Sequence, residues 1–172
     1  IWMSFEPGST FKTITFASAL ELNLFDMFKD TYTDVGYEIV EGARIKSWRA
    51  GGHGTQTFLE LLQNSSNPGF VEISRRLGLD QEYKYVMDFG SGNKTGIDLP
   101  GDSSGIMFKK EDMGPLEQAC VAFGQGISVT PIQLVSAFSA IVNGGTLYQP
   151  YIMKSIVNPI TGEVMKENTP TI

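Results

Sequence analysis

The stretch Glu6-Pro7-Gly8-Ser9-Thr10-Phe11-Lys12 places a serine directly after a Pro-Gly turn and a lysine three residues further on. An apolar-rich run to Leu24 follows at helical spacing, so we predict a helix from Thr10 that keeps Lys12 one turn from Ser9. A serine hydroxyl becomes a nucleophile when a base takes its proton, and lysine serves as that base only if its pKa is lowered. Backbone N–H groups at a helix start also stabilise a developing oxyanion. In isolation, the pattern is more often a capped helix with a surface lysine.

The composition limits the classes of function. The chain has 172 residues, of which 41% are hydrophobic and 19% charged, as in a folded domain. A net charge of −6 argues against a nucleic-acid partner. The single cysteine, Cys120, excludes an internal disulfide, and the single histidine, His53, excludes a histidine-based metal cluster. We therefore predict no metal site and no cofactor.

The first half of the chain is predicted to contain helices and one strand pair. Residues 33–47 alternate around Glu41-Gly42 and indicate a hairpin. A loop at 51–54 precedes a helix that Thr55 caps and that runs to Gln63. Asn67-Pro68 indicates the cap and first position of a helix ending at Gly78, and Asp80 the cap of a shorter one through Met87.

The second half is predicted to hold a long loop, two helices and a hairpin. Residues 90–114 are rich in glycine, serine and aspartate and are typical of a loop. Leu116–Phe123 is predicted as a helix, and Thr130-Pro131 caps another that runs to Val142. Residues 147–166 predict a hairpin. The fold class expected is mainly α with minor β-ribbons.

Further short motifs follow the first in a recognisable order. Ser65-Ser66-Asn67 comes after a predicted helix, and Phe123-Gly124-Gln125-Gly126 leads into Thr130-Pro131-Ile132-Gln133-Leu134 and then Asn143-Gly144-Gly145. With Ser9-Thr10-Phe11-Lys12, these motifs resemble the S-x-x-K and S-x-N motifs and the following helix of the class B penicillin-binding proteins. The resemblance extends over nearly the whole chain.

Two segments resemble the sporulation-specific members of that family most. They are His53-Gly54-Thr55-Gln56-Thr57 and Asn67-Pro68-Gly69-Phe70. The elongation and division homologues share much of the same pattern, so the stage of the cell cycle stays open.

The resemblance implies a serine D,D-transpeptidase that cross-links peptidoglycan stem peptides and is acylated by β-lactams. Ser9 is then the nucleophile and Lys12 the base, while Ser65 relays a proton and Asn67 holds the substrate amide. The implied partners are the stem peptide, β-lactams and, through the parent protein, a membrane glycosyltransferase. The implied location is the extracytoplasmic face of the bacterial membrane.

Lys94-Thr95-Gly96 looks like the family's third motif, Lys-Thr-Gly, but we reject that interpretation. The true motif belongs on a strand beside the nucleophile. Here Ser91-Gly92-Asn93 and Pro100-Gly101 surround it with loop formers. We expect the true motif beyond Ile172.

Residues 1–172 are accordingly expected to be one partial transpeptidase domain. This is the helical lobe of the α+β penicillin-binding protein and serine β-lactamase-like fold, with its central sheet largely missing. It should be inactive alone and should leave an apolar face uncovered, with Phe11 and Ile14 as candidates. The alternatives are a β-lactamase or D,D-carboxypeptidase-like hydrolase and a non-catalytic structural module.

Overall fold

The computed structural model describes residues 1–172, which form helices and three antiparallel two-stranded ribbons. The helices are α1 (Lys12–Glu21), α2 (Phe58–Gln63), α3 (Asn67–Asp88), α4 (Pro115–Val121) and α5 (Pro131–Val142). The strands are β1 (Thr31–Asp34), β2 (Tyr37–Val40), β3 (Ala43–Lys46), β4 (Gly54–Thr57), β5 (Ser155–Val157) and β6 (Val164–Glu167). Strand β1 pairs with β4, β2 with β3 and β5 with β6. The predicted class, mainly α with minor ribbons, is confirmed.

Helix α1 lies between two apolar clusters and is buried by both. Phe16 and Ala19 belong to a cluster built mainly with α2, α3 and the β2–β3 ribbon. Phe11 and Ile14 belong to a second cluster that includes Val129 and Ala137 from the α5 region. The expectation that Phe11 and Ile14 are uncovered is wrong, since they are 0% and 1% exposed. Helix α5 and the segment before it cover that face.

An uncovered apolar surface lies on α5. Val135 is 60% exposed and Val142 82%. Together with Thr10, Leu134 and Phe138 they line an open groove of about 330 Å³. None of the helices has the length and hydropathy needed to cross a membrane.

The segment after β3, where a helix start was predicted at Thr55, forms strand β4 instead. Residues 54–57 pair with 31–34, so Thr55 lies opposite Thr33 and cannot cap α2. Thr57 is the cap, because its hydroxyl accepts from the N–H of Glu60 and its own N–H donates to the Glu60 carboxylate. Such a reciprocal pair satisfies two N–H groups that the helix leaves free.

Helix α3 begins one residue earlier than predicted and is broken where predicted. Ser66, not Asn67, is its cap, and Ser66 Oγ accepts from the N–H of Gly69 at 3.2 Å. Gly78 has φ 69° and ψ 157°, which interrupts the helical backbone and confirms the predicted break. The helix then continues to Asp88 without a separate capped start at Asp80.

The elements predicted for the rest of the chain are present, although α4 ends at Val121 rather than Phe123 and the hairpin strands cover 155–157 and 164–167 rather than all of 147–166. Thr130 caps α5 and exchanges hydrogen bonds with Gln133. The last ribbon turns between Val157 and Val164. Residues 90–114 form a connecting loop with one 3-10 turn at Lys110–Asp112.

A buried carboxyl bridges the break in α3. Glu82 is 2% exposed, and its Oε2 accepts from Ser74 Oγ at 2.6 Å and from Gln118 Nε2 at 3.0 Å. Ser74 and Glu82 lie on opposite sides of Gly78, while Gln118 belongs to α4. Burial raises the pKa of Glu82 to about 7 because no cation offsets the lost hydration.

We predict that Glu82→Gln flattens the pH dependence of folding. The folded protein holds the Glu82 proton up to about pH 7, against 4.5 for the ordinary group, so stability is lost as pH rises through this interval. The glutamine variant avoids this loss and gains up to about 3 kcal/mol relative to wild type between pH 4 and 8. Thermal unfolding of the full-length protein at several pH values measures the difference. Glu111→Gln, at an exposed site, is the control, and parallel curves for wild type and Glu82→Gln would contradict the prediction.

Candidate active site

The Lys12 ammonium is buried at the centre of the candidate site. Lys12 is 1% exposed, and its Nζ donates to Ser65 O at 2.7 Å, Ser65 Oγ at 2.9 Å and Asn67 Oδ1 at 2.7 Å. These three bonds use all the protons of an ammonium group. The S-x-x-K and S-x-N segments therefore meet directly, although 53 residues separate Lys12 from Ser65.

Burial also changes the acidity of Lys12. Loss of hydration lowers the pKa of its ammonium from 10.5 to about 8, because burial disfavours the charged form. The Phe70 ring lies 5.2 Å from Nζ and offers a weak cation–π contact. A lysine with this pKa can hold or release a proton near neutral pH.

Ser9 lies in the 3-10 turn Gly8–Thr10 that leads into α1, and its residue is exposed. None of the three Lys12 hydrogen bonds goes to Ser9. Ser9 is thus one turn from Lys12 and open to a ligand. The N–H groups of such a first turn have no acceptor within the helix.

The glycine-rich segment 123–126 fixes the Ser9 turn from the other side. The Gly8 N–H donates to Gly124 O at 3.0 Å, and the Gly126 N–H donates to Glu6 Oε1 at 3.0 Å. Gly124 has φ +76°, and a Cβ there would lie 2.2 Å from Gly8 O. Only glycine fits at this contact.

The S-x-N segment has a strained backbone beside the lysine. Ser65 has φ 52°, in the left-handed region that residues other than glycine rarely occupy. In this conformation both its carbonyl and its hydroxyl accept from Lys12. Because Ser66 supplies the cap of α3, the Asn67 side chain is free to accept from Lys12 and to donate to Lys46 O at 3.3 Å.

Comparison of the chain with known proteins identifies its family. The family model "Penicillin binding protein transpeptidase domain" matches residues 1–171. This chain belongs to the penicillin-binding protein transpeptidase domain family. The resemblance inferred from the sequence motifs is thereby confirmed.

Named relatives and a solved structure agree with the family assignment. The chain is 55% identical to stage V sporulation protein D of Bacillus subtilis over 99% of its own length and 26% of that protein. It is 31% identical to the peptidoglycan D,D-transpeptidase FtsI homolog of Mesostigma viride, covering 88% of this chain and 27% of the relative. It superposes with a TM-score of 0.91 on penicillin binding protein 3 of Mycobacterium tuberculosis complexed with aztreonam, at 29% identity over 99% of this chain and 38% of that one. The chain spans about a quarter of the length of the curated relatives it matches.

Two neighbours of the transpeptidase motifs were missed by sequence analysis. Trp48 is 71% exposed, yet its indole N–H donates to Asn64 O at 2.8 Å, immediately before the S-x-N segment. Asp34 is 1% exposed and accepts from the Ser66 hydroxyl at 2.8 Å. An isolated tryptophan after a strand, or an isolated aspartate at a strand end, gives no sequence signal for either contact. No group of three or more His, Cys, Asp or Glu side chains is arranged to hold a metal ion.

Lys94-Thr95-Gly96 lies in a loop, which confirms the structural part of that prediction. Lys94 is exposed and is not in a strand. The Asp102 carboxylate holds the loop by accepting from Thr95 Oγ1 at 3.1 Å and from the Gly96 N–H at 2.8 Å. These contacts stabilise a local turn.

We predict that Gly124→Ala destabilises this transpeptidase domain more than Gly144→Ala does. Both glycines have positive φ, so an added Cβ strains either backbone by about 1 kcal/mol. Only at position 124 does the new atom also collide with backbone, at Gly8, whereas nothing lies within 4 Å of a Cβ at Gly144. Thermal unfolding of the full-length protein should give an additional loss of about 2 kcal/mol for Gly124→Ala. Equal melting temperatures for the two variants would contradict the close contact.

Proposed function

We propose that this domain is the acyl-transfer domain of a D,D-transpeptidase that cross-links peptidoglycan stem peptides. One observation supports this most: a buried lysine of lowered pKa joins the S-x-x-K and S-x-N motifs, with Ser9 exposed one turn away. Membership of the transpeptidase family supports the same reaction.

Acylation begins at Ser9. Its Oγ attacks the carbonyl carbon between two D-alanine residues, and neutral Lys12 Nζ takes the hydroxyl proton. The Ser9 N–H, at the start of the helix, donates to the carbonyl oxygen as negative charge develops there. Asn67 holds the amide of the stem peptide.

Release of D-alanine completes the first half of the reaction. The Ser65 hydroxyl passes a proton to the leaving nitrogen and is reprotonated by Lys12, to which it is hydrogen-bonded at 2.9 Å. The carbon–nitrogen bond breaks and leaves an ester on Ser9. The amine of a second stem peptide then attacks the ester, forms the cross-link and returns the proton to Ser9. A β-lactam undergoes only the acylation step, in which Ser9 attacks its carbonyl, and it leaves Ser9 acylated.

We further propose that residues 1–172 are the helical lobe of a larger domain. The central sheet, with the third motif Lys-Thr-Gly and a second oxyanion donor, then comes from chain beyond Ile172. The groove along Leu134, Val135 and Phe138 is the apolar surface available to such a sheet. A lobe lacking that strand is inactive alone.

The proposed setting is the extracytoplasmic face of the bacterial membrane. The parent protein is membrane-anchored there and works with a membrane glycosyltransferase that supplies the glycan strands. The 55% identity with a stage V sporulation protein supports a role in sporulation.

We predict that Ser9→Ala abolishes covalent labelling of the full-length protein by a fluorescent penicillin, because no other hydroxyl lies one helical turn before the buried lysine. Gel fluorescence with mass spectrometry of the labelled peptide measures this. Lys94→Ala is the matched control and should label as wild type does, since Lys94 is an exposed loop residue.

The same labelling experiment separates the three functional classes. A stable label on Ser9 supports the transpeptidase, and rapid turnover of the label indicates the hydrolase. Absence of label on the full-length protein indicates a non-catalytic module. A label that persists at another serine in Ser9→Ala refutes the assigned nucleophile.

We predict that the acylation rate rises with pH and levels off above about pH 8. Only neutral Lys12 accepts the Ser9 proton, and burial lowers the pKa of Lys12 to about 8. Stopped-flow acylation between pH 6 and 10 measures the midpoint. Lys12→Arg should remove the reaction, because guanidinium stays protonated throughout this range. A rate that keeps rising to pH 10 would mean that the lysine has an ordinary pKa.

A further inference from the structure

The carboxylate of Asp34 is buried at the end of β1 and has two hydrogen-bond donors. Oδ2 accepts from Ser66 Oγ at 2.8 Å, and Oδ1 accepts from the Gly36 N–H at 2.7 Å. Asp34 is 1% exposed and Ser66 0%, so water does not compete at either group. The bond to Ser66 therefore connects the β1–β4 ribbon to the middle residue of the S-x-N motif.

Ser66 transmits this contact to the first turn of α3. Its Oγ accepts from the Gly69 N–H at 3.2 Å while donating its proton to Asp34. The Ser66 hydroxyl therefore has Asp34 as its acceptor on one side and the Gly69 N–H as its donor on the other, so its direction is fixed.

The backbone of the Gly52–Gly54 segment packs closely against Asp34. A Cβ at Gly52 would lie 2.6 Å from Asp34 Oδ1 and 2.2 Å from Asp34 O. Gly54, two residues later, pairs with Asp34 in the β1–β4 ribbon. The carboxylate thus has little room to move away from Ser66.

We propose that Asp34 is a positioning residue of the transpeptidase: through the Ser66 hydroxyl it sets Ser65 and Asn67 against Lys12. Both neighbours of Ser66 accept from the Lys12 ammonium, so a displacement of Ser66 misplaces both. Asp34 touches none of the reacting groups itself. This inference rests on the proposed function, which assigns Lys12 and Ser65 to proton transfer.

The test measures penicillin acylation of the full-length protein and of the variants Asp34→Asn, Ser66→Ala and the double variant. The Gly36 N–H and the Ser66 hydroxyl donate to different oxygens of Asp34, and in asparagine one of these two positions becomes an NH2 donor, whereas Ser66→Ala removes only the hydroxyl. At saturating penicillin, each single variant should acylate about 10- to 100-fold more slowly, and the double variant no more slowly than the worse single one. Thr33→Val is the matched control, because Thr33 lies on the same strand as Asp34 and the change removes only an exposed hydroxyl bond to Thr55 on β4.

The rate constant and the final extent of labelling separate positioning from folding. A positioning role lowers the rate constant while labelling still proceeds to completion. Variants that acylate with the wild-type rate constant would refute the inference, whether labelling goes to completion or stops at a reduced extent. A double variant whose rate constant falls by the product of the two single effects would also refute it. A wild-type protein that takes no label overturns the proposed function and this inference with it. A labelled wild type with unaffected variants overturns the inference alone.

Discussion

The buried Lys12 ammonium is the constraint on which the rest of the structure depends. Moving an ammonium group out of water costs several kcal/mol unless other groups replace its hydration. Here the replacement is three oxygens from Ser65 and Asn67, with the Phe70 ring beside them. Since these acceptors come from the end of α2 and the start of α3, the burial of one side chain requires α1, α2 and α3 to meet at one point.

Local backbone choices in the S-x-N segment follow from this requirement. Ser65 occupies a left-handed conformation that costs on the order of 1–3 kcal/mol, and it thereby turns both of its oxygens towards Lys12. Ser66 caps α3, so Asn67 does not have to. Ser65 and Asn67 therefore bind the Lys12 ammonium, while Ser66 between them caps the helix.

Sequence analysis was sufficient where the signals are local. Thr130 and Gln133 form a cap pair within one turn, and Glu41-Gly42 defines a hairpin whose partners are adjacent in the chain. Sequence analysis failed where contacts with a distant segment determine the local structure. Residues 54–57 form a strand only because 31–34 lie beside them, and Ser66 is preferred to Asn67 as a cap because Asp34 accepts its proton.

The candidate site shows the same division between local and distant signals. Ser9, Lys12, Ser65 and Asn67 were identifiable from two short motifs, and the contacts of Lys12 with Ser65 and Asn67 agree with that choice. The burial of Phe11 and Ile14 was missed, because Val129 and Ala137 pack in the same cluster from more than a hundred residues away in sequence. Asp34 and Trp48 were missed because their contacts are made by folding and not by a motif.

The hydrogen-bond pattern around Lys12 also determines what happens when it loses a proton. A neutral amine has two N–H donors and one lone pair, so it cannot donate to all three oxygens. The Ser65 carbonyl and the Asn67 amide oxygen have no proton to offer, whereas the Ser65 hydroxyl has one. Deprotonation of Lys12 therefore changes the Ser65 hydroxyl bond first, because this hydroxyl can donate to the amine or turn away while the amine accepts the Ser9 proton. In the proposed mechanism, the contact that stabilises the buried cation is therefore also the one that carries a proton between Lys12 and Ser65, and the left-handed backbone at Ser65 keeps its hydroxyl directed at Lys12.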